Sequence, residues 1–258
     1  LYRYHSIFQR FLLSQTTAEE QQDCLRTAAY FLLKTDDKIQ AAEYACRAKA
    51  GDIVQAVIEV SGDSMLEERL FVTLERWFTF LDENNCDLTP QSRFIYGKYL
   101  MTLGLEAEAN RQITQAGKDF YKEGRLQDYL KVLLFVSSTK RKAGDLLQAE
   151  LYLKQAQQEM EPSQKEQAQA LYREQIKIKC CLHQLTEAAK LLLTYKEQGF
   201  LLEEDIFLGT AQQILTTEAR PEKHPGTFAV NTTPEKLAQI PYGLQLEGIP
   251  EGFLLRNC

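Results

Sequence analysis

A spacing of small and apolar residues recurs along the middle of the chain and constrains its fold more than any other feature. After Gly144, Ala149 follows at the fifth position, Leu153 at the ninth and Ala156 at the twelfth. Glycine permits the left-handed backbone of a tight turn after a helix. Apolar residues at these spacings lie on one face of the helix that follows. The spacing therefore predicts two helices joined at Gly144 and packed closely where Ala149 lies.

The same spacing returns after two other positions in the chain. The three turn positions, Gly104, Gly144 and His183, recur at a nearly constant interval, with His183 in the place of glycine. The residues that repeat the pattern after the other two turns are Ala109, Ile113 and Ala116, then Ala188, Leu192 and Tyr195. Weaker copies begin at Asp36, with Ala41, Ala45 and Ala48, and at Gly51, with Ala56 and Val60. A period of about 40 residues is typical of a solenoid of helix pairs.

The segments before the three turns carry broad apolar stripes at helical spacing. They predict helices over residues 92–103, 126–142 and 168–182. Thr89-Pro90 and Pro162-Ser163 are helix-boundary signals. The predicted fold class is all-α, a solenoid of antiparallel helix pairs over residues 16–216. The single tryptophan, Trp77, is expected in its core; the alternative is a binding hot spot on the surface.

The C-terminal part of the chain has a different composition. It holds five of the seven prolines, at positions 221, 225, 234, 241 and 250. A helix cannot continue through such a run. We predict an irregular tail over residues 217–258, a linker or arm with room for a short hairpin within 243–255.

Composition and the first residues exclude several classes of function. The formal net charge of −6 argues against a general attraction to nucleic-acid phosphates. No apolar run reaches the roughly 18 residues that a membrane span requires, so we expect neither nucleic acid nor membrane as a direct partner. The beginning at Leu1 shows neither an initiator Met nor a signal peptide, and predicts a piece of a longer chain.

The residues that support catalysis or metal binding are few and scattered. Six cysteines form no C-x-x-C pair, and we expect buried, reduced thiols in a cytoplasmic protein. The three histidines, His5, His183 and His224, have no recognisable nucleophile or carboxylate partners. A phosphate-binding loop of the form G-x-x-x-x-G-K-[ST] does not occur. We therefore expect no enzymatic activity, no cofactor and no metal in this chain.

The front of the chain resembles, in order and spacing, motifs of MalT-like transcriptional regulators. The matching segments are Arg3-Tyr4-His5-Ser6-Ile7-Phe8-Gln9-Arg10-Phe11-Leu12, Ala28-Ala29-Tyr30-Phe31, Ala41-Ala42-Glu43-Tyr44-Ala45, Ala50-Gly51-Asp52 and Leu74-Glu75-Arg76-Trp77-Phe78 with Leu88-Thr89-Pro90. The chain departs from the family where Tyr30 replaces a tryptophan, Tyr44 a histidine and Asp36-Asp37 a glycine turn.

The resemblance implies a place within a larger signalling ATPase of the STAND type. Residues 1–15 would end a winged-helix segment, and the repeats would form a right-handed, tetratricopeptide-like superhelix that senses an inducer or a partner protein. ATP would bind only in a domain upstream of this chain, and neighbouring domains of the parent would be further partners. The expected function is therefore the sensing segment of a bacterial transcriptional regulator. The alternative is a constitutive protein-interaction scaffold.

The family resemblance also implies where a ligand would bind. In tetratricopeptide-like proteins the first helix of each pair lines a concave groove. The residues that this register places there include Gln91, Phe94, Met101 and Leu134, and the candidate binding residues are Lys98, Lys131, Ser138, Arg141, Arg173 and Lys177. Lysine and arginine bind carboxylates and phosphates through charge-assisted hydrogen bonds. We expect a groove for an anionic small molecule or an acidic peptide; the alternative is a solvated charged face.

Overall fold

The computed structural model describes residues 14–35, 37–160 and 165–200, and their regular structure is entirely α-helical. These residues fall into two compact units, divided between Glu123 and Gly124. No helix in these ranges has the length and apolar character to cross a membrane. Outside the described residues lie the predicted winged-helix end apart from residues 14 and 15, residues 201–216 of the predicted solenoid, the C-terminal tail, His5 and His224.

Ten helices occupy the described ranges. The first unit contains α1 Ala18–Lys34, α2 Lys38–Arg47, α3 Gly51–Glu67, α4 Phe71–Glu83, α5 Pro90–Thr102 and α6 Glu106–Lys122. The second unit contains α7 Leu126–Lys142, α8 Leu146–Glu159, α9 Lys165–Cys181 and α10 Leu185–Glu197. The three helices predicted from apolar stripes are confirmed as α5, α7 and α9, and the all-α fold class is confirmed for the described part of the chain.

Side chains at the helix starts explain several of these boundaries. Thr17 begins α1 with a capping box, because its hydroxyl accepts from the backbone of Glu20 and the Glu20 carboxylate accepts from the backbone of Thr17. Thr89 caps α5 through its hydroxyl alone, which accepts from the backbone N–H of Ser92, with Pro90 as the first helical residue. The helix boundary predicted at Thr89-Pro90 is therefore confirmed. Pro162 and Ser163 lie outside the described residues, between the end of α8 and the start of α9.

The predicted turn positions have the backbone conformation that the repeat requires. Gly104, Gly144 and His183 have φ angles of 76°, 81° and 57°, all in the left-handed region. Gly124 has the same conformation with φ of 70°, midway between Gly104 and Gly144. Gly104, Gly124 and Gly144 therefore follow three successive helices at equal intervals. The predicted repeat from Gly104 to Gly144 accordingly contains two helices. His183 occupies the glycine position, as predicted.

The weak repeat copy that begins at Gly51 is wrong. Gly51 is the first residue of α3 rather than a turn residue, and Lys49, with φ of 53°, makes the turn. Gly51 is buried, and a side chain there would collide with the Sγ atom of Cys86. The pattern failed here because glycine serves equally well in a turn and at a close contact. Val60, expected to face the core, is 64% exposed.

The first unit has one continuous apolar core. The helices pack in consecutive pairs, and α3 also packs against α5, the first helix of the next pair. Trp77 of α4 is fully buried at the centre, as predicted, beside Leu74 and Leu81. In the weak copy at Asp36, the expected burial of the alanines at positions 41 and 45 of α2 and at position 48, its C-cap, is confirmed, while Asp36 itself lies outside the described residues.

The second unit repeats this arrangement with four helices. Helix α7 pairs with α8 and α9 pairs with α10, while α9 also packs against α7 and α8. The repeat residues Ala149, Leu153 and Ala156 are buried on α8, and Ala188, Leu192 and Tyr195 are buried on α10. Ser137 is buried between the paired helices, where its hydroxyl donates to the carbonyl oxygen of Ala149 at 3.0 Å. The small repeat alanines therefore lie where paired helices approach each other.

Candidate binding surfaces

The predicted groove residues lie on first helices of the helix pairs, in both units. Lys98 belongs to α5 of the first unit. In the second unit, Lys131, Ser138 and Arg141 form a stripe on α7, and Arg173 and Lys177 lie one turn apart on the neighbouring α9. Helix α7 packs against α9, so the predicted residues of the second unit lie on two neighbouring first helices.

Arg141 is joined to an acidic residue of the next first helix. Its Nε donates to Oε1 of Glu174 on α9 at 2.5 Å. Only 11% of the Arg141 side chain and 10% of the Glu174 side chain are exposed. A charge so far removed from water requires a compensating partner. The pair therefore holds α7 and α9 together, and the guanidinium of Arg141 is already engaged.

Arg173 is engaged within the helix pair formed by α9 and α10. Its Nε donates to the hydroxyl oxygen of Tyr195 at 3.1 Å, and Nε2 of Gln169 donates to the same oxygen at 3.1 Å. Tyr195 is fully buried, so its polar end is satisfied by side chains from α9. Lys177 lies partly buried one turn further along α9.

Lys131 is the exposed member of the stripe on α7. Nζ of Lys131 lies 3.0 Å from Oδ1 of Asp128, which also pairs with Arg125 at 2.8 Å. Burial disfavours the charged form of Asp128, but the hydrogen bonds from Lys131 and Arg125 outweigh it and lower the pKa of the carboxyl. Ser138 is partly buried. Lys131 is 56% exposed and keeps much of its surface available to a ligand.

Lys98 has the same kind of connection in the first unit. Its Nζ lies 2.8 Å from Oδ1 of Asp63 on α3 and 4.2 Å from the centre of the Phe94 ring. Asp63 and Lys98 therefore form an ion pair between α3 and α5, the first helices of two consecutive pairs. Arg141 and Glu174 form the corresponding ion pair between α7 and α9 in the second unit. A cation above an aromatic face gains additional electrostatic attraction.

The acidic partners are the functional residues that sequence reasoning missed. Asp63 lies somewhat less than one repeat before Lys98, and Glu174 lies somewhat less than one repeat after Arg141. Each acidic residue therefore belongs to the repeat next to that of its basic partner. A search for opposite charges at that separation would have found both. Because of these two partners, Lys98 and Arg141 each join two helices by an ion pair.

The second unit has a cleft on the side of its second helices, which we call the second-helix cleft. Its volume is about 350 Å³. Its lining comprises Glu150, Leu153, Lys154 and Gln157 of α8, Gln175, Ile178 and Lys179 of α9, and Glu187, Lys190 and Leu191 of α10. None of these residues belongs to the predicted groove.

Lys179 connects the three helices around this cleft. Its Nζ lies 2.8 Å from Oε1 of Glu150 on α8 and 3.0 Å from Oε2 of Glu187 on α10. The hydrogen bond to Glu150 raises the pKa of Lys179, helped by the bond to Glu187 and opposed by burial. Lys179 therefore remains a cation that holds two carboxylates.

A polar depression lies on the first unit, beside α5 and α6. Arg93, Arg111 and Lys118 line it with several amide side chains. Nη1 of Arg93 lies 3.5 Å from Oδ2 of Asp119, and Arg111 pairs with Glu108 on its own helix. Nε of Arg93 is buried without a hydrogen-bond partner among the described residues.

The cysteines do not form a reactive or metal-binding cluster within the described residues. No group of three His, Cys, Asp or Glu side chains there could hold a metal ion. Burial raises the pKa of the Cys46 thiol to about 11, and burial next to Cys181 raises that of Cys180 to about 12. Among the described cysteines only Cys180 is buried, whereas Cys46, Cys86 and Cys181 are partly buried. The expectation of buried cysteines is wrong for Cys24, which is exposed on α1.

Comparisons of the chain with protein-family models, with curated proteins and with solved structures find no significant match. The resemblance to MalT-like regulators therefore remains a prediction from the sequence motifs.

Proposed function

We propose that this chain is a non-catalytic, tetratricopeptide-like segment, a right-handed solenoid that binds a ligand or partner protein. The observation that carries the proposal is the packing of first helix on first helix, tied by Asp63–Lys98 in one unit and Arg141–Glu174 in the other. The evenly spaced left-handed turn residues support it, since stacked helix pairs of constant length generate a regular solenoid.

Within the parent protein, the segment acts as a sensor. The front motifs support a position directly after the ATPase module of a STAND-type transcriptional regulator. Nucleotide and DNA binding then belong to other domains of the parent. A ligand that binds one arrangement of the repeats better than another shifts the parent towards that arrangement. The cytoplasm is the compartment in which such a regulator works.

The second candidate is a constitutive scaffold for protein interactions. The observation that favours it is the near-complete burial of the Arg141–Glu174 pair. A pair of this kind stabilises one arrangement of α7 and α9, and a stable surface suits a partner that binds without any change of state. The sensor and the scaffold differ in whether the repeats rearrange, so the two candidates can be separated.

The first experiment titrates the purified chain with Mg–ATP and with double-stranded DNA. We expect no saturable binding of either, because the segment has no phosphate-binding loop and an acidic net charge. Saturable binding of ATP would overturn the assignment of nucleotide binding to another domain. A parent chain with an upstream phosphate-binding loop favours the sensor over the scaffold.

The second experiment tests the predicted groove with citrate, a small polyanion, followed by backbone NMR. We expect shifts confined to α7 and α9, and their loss in a Lys131→Glu/Lys177→Glu variant. Arg141 is left unchanged, because its replacement would leave Glu174 buried without a counter-charge. Chemical-shift changes that persist in the variant would show that these predicted groove lysines form a solvated face and do not bind the anion.

A further inference from the structure

The second-helix cleft has an apolar floor within a charged rim. Leu153 of α8 and Ile178 of α9 are buried at its base, and Leu191 of α10 is partly buried beside them. A volume of about 350 Å³ lies at the small end of the range for ligand pockets. It has room for about two apolar side chains rather than a complete helix face.

The bridge made by Lys179 sets the shape of this cleft. Because its amine reaches Glu150 on one wall and Glu187 on the other, it fixes the separation of α8 and α10 above α9. It also satisfies both glutamates that line the cleft. The two acidic side chains are therefore engaged before any ligand arrives.

Two lysines on opposite walls have no such partner among the described residues. Lys154 on α8 and Lys190 on α10 are exposed, and neither forms an ion pair with a described residue. The lining thus holds three lysines against two glutamates, a positive balance on a chain whose net charge is −6. The charge of the cleft is therefore complementary to a ligand that carries carboxylates.

The apolar surface extends out of the cleft along α8. Leu147 and Leu151 lie one turn apart and are 73% and 55% exposed. Each lies one helical turn before a lining residue, so the two leucines border the cleft wall. A ligand whose apolar side chains enter the cleft could therefore rest further apolar surface on α8.

We propose that the second-helix cleft binds a short, acidic amphipathic segment of a partner protein. About two apolar side chains of that segment enter between Leu153, Ile178 and Leu191, and its flanking carboxylates pair with Lys154 and Lys190. An amphipathic segment that lays spaced apolar anchors into a groove is a common mode of peptide recognition. This site lies apart from the predicted groove, so it adds a second binding surface to the proposed function.

The experiment uses a fluorescein-labelled synthetic peptide with leucines at helical spacing and glutamates between them, titrated with the full chain by fluorescence anisotropy. We expect saturable binding that weakens by about tenfold or more in Lys154→Glu/Lys190→Glu, since two favourable charge pairs become repulsive. A Gln157→Trp variant, which fills the cleft while keeping every charge, should weaken binding to a similar extent.

Matched controls separate binding in the cleft from general charge attraction. Lys122→Glu/Lys142→Glu changes the net charge equally at two exposed lysines outside the cleft and should leave the affinity within about twofold. Circular dichroism checks that each variant keeps its helices. Equal weakening in both double variants, unchanged binding in the cleft variants, or no saturable binding would each overturn the proposal. The citrate experiment uses a different ligand and the substitutions Lys131→Glu and Lys177→Glu. A failure of peptide binding in the cleft can therefore be told apart from a failure of anion binding in the predicted groove.

Discussion

Arg141 Nε lies 2.5 Å from Glu174 Oε1, and about nine-tenths of each side chain is buried between α7 and α9. The pair Arg26–Asp52 in the first unit has the same 2.5 Å separation, but its side chains are 54% and 61% exposed. The two ion pairs have the same N–O separation and differ in how far water reaches them. Since water screens exposed charges, the two pairs should differ widely in their contribution to stability.

Replacing Glu174 with glutamine is therefore expected to lower the free energy of unfolding by about 3 kcal/mol, because Arg141 remains buried without a counter-charge. The matched change Asp52→Asn, which breaks the exposed pair, should cost less than about 1 kcal/mol. Urea unfolding followed by circular dichroism measures both. Equal losses of unfolding free energy in the two variants would contradict the claim that burial makes the Arg141–Glu174 pair the more important one.

The contact of α5 with α6 depends on the absence of a side chain at Gly97. A Cβ atom there would lie 2.5 Å from Cγ1 of Ile113 and 3.2 Å from the carbonyl oxygen of Ala109. Gly97→Ala should therefore lower the free energy of unfolding by about 1–3 kcal/mol through overpacking. In the double variant with Ile113→Ala, the loss should be smaller than the sum of the single losses. Strict additivity in urea unfolding would count against a steric cause.

His183 and Gly144 occupy equivalent left-handed turns with different residues. His183→Gly should raise the free energy of unfolding by about 0.5 kcal/mol, since the strain of a side chain at φ of 57° exceeds the added backbone freedom of glycine. Gly144→Ala should lower it by about 1 kcal/mol, although a Cβ there would meet no atom within 4 Å. Differential scanning calorimetry measures both changes, and a stabilising Gly144→Ala would refute the backbone argument.

Cysteine reactivity should follow burial. At pH 8 iodoacetamide should modify the exposed Cys24 much faster than Cys46 or Cys180, whose pKa values of about 11 and 12 leave less than about one thiolate in a thousand. Mass spectrometry of the digested protein quantifies each site, and modification in urea-unfolded protein provides the fully accessible reference. Rapid labelling of Cys180 in the folded protein would contradict its burial.

These raised pKa values also set the sign of a stability change with pH. The folded chain keeps both thiols protonated, whereas in the unfolded chain they ionise near their ordinary pKa of 9.0. The stability that these two buried thiols contribute to the folded chain is therefore fully present below about pH 9. It is lost progressively as the pH rises towards 11 and 12. A Cys180→Ala variant should show a weaker loss of stability over that range.

The helices α5, α7 and α9 and the turns that follow them were predictable because they depend on nearby residues. The left-handed turns at Gly104, Gly144 and His183, the proline start of α5 and the apolar stripes of α7 and α9 are features of short stretches of chain. Gly51 is the informative failure. Its neighbours match the repeat, but its role depends on Cys86, which comes from the turn after α4.

The sequence by itself determined the all-helical class, the positions of α5, α7 and α9 and the turns at Gly104, Gly144 and His183, because hydrophobic periodicity and backbone preference act over a few residues. Only the tertiary structure decided what the basic residues do. Arg141 meets Glu174, Lys98 meets Asp63, and Lys179 joins Glu150 to Glu187, while Lys154 and Lys190 form no ion pair with a described residue. Which cation meets which carboxylate depends on how neighbouring helices are rotated and aligned, and that relation joins residues that lie far apart in the sequence.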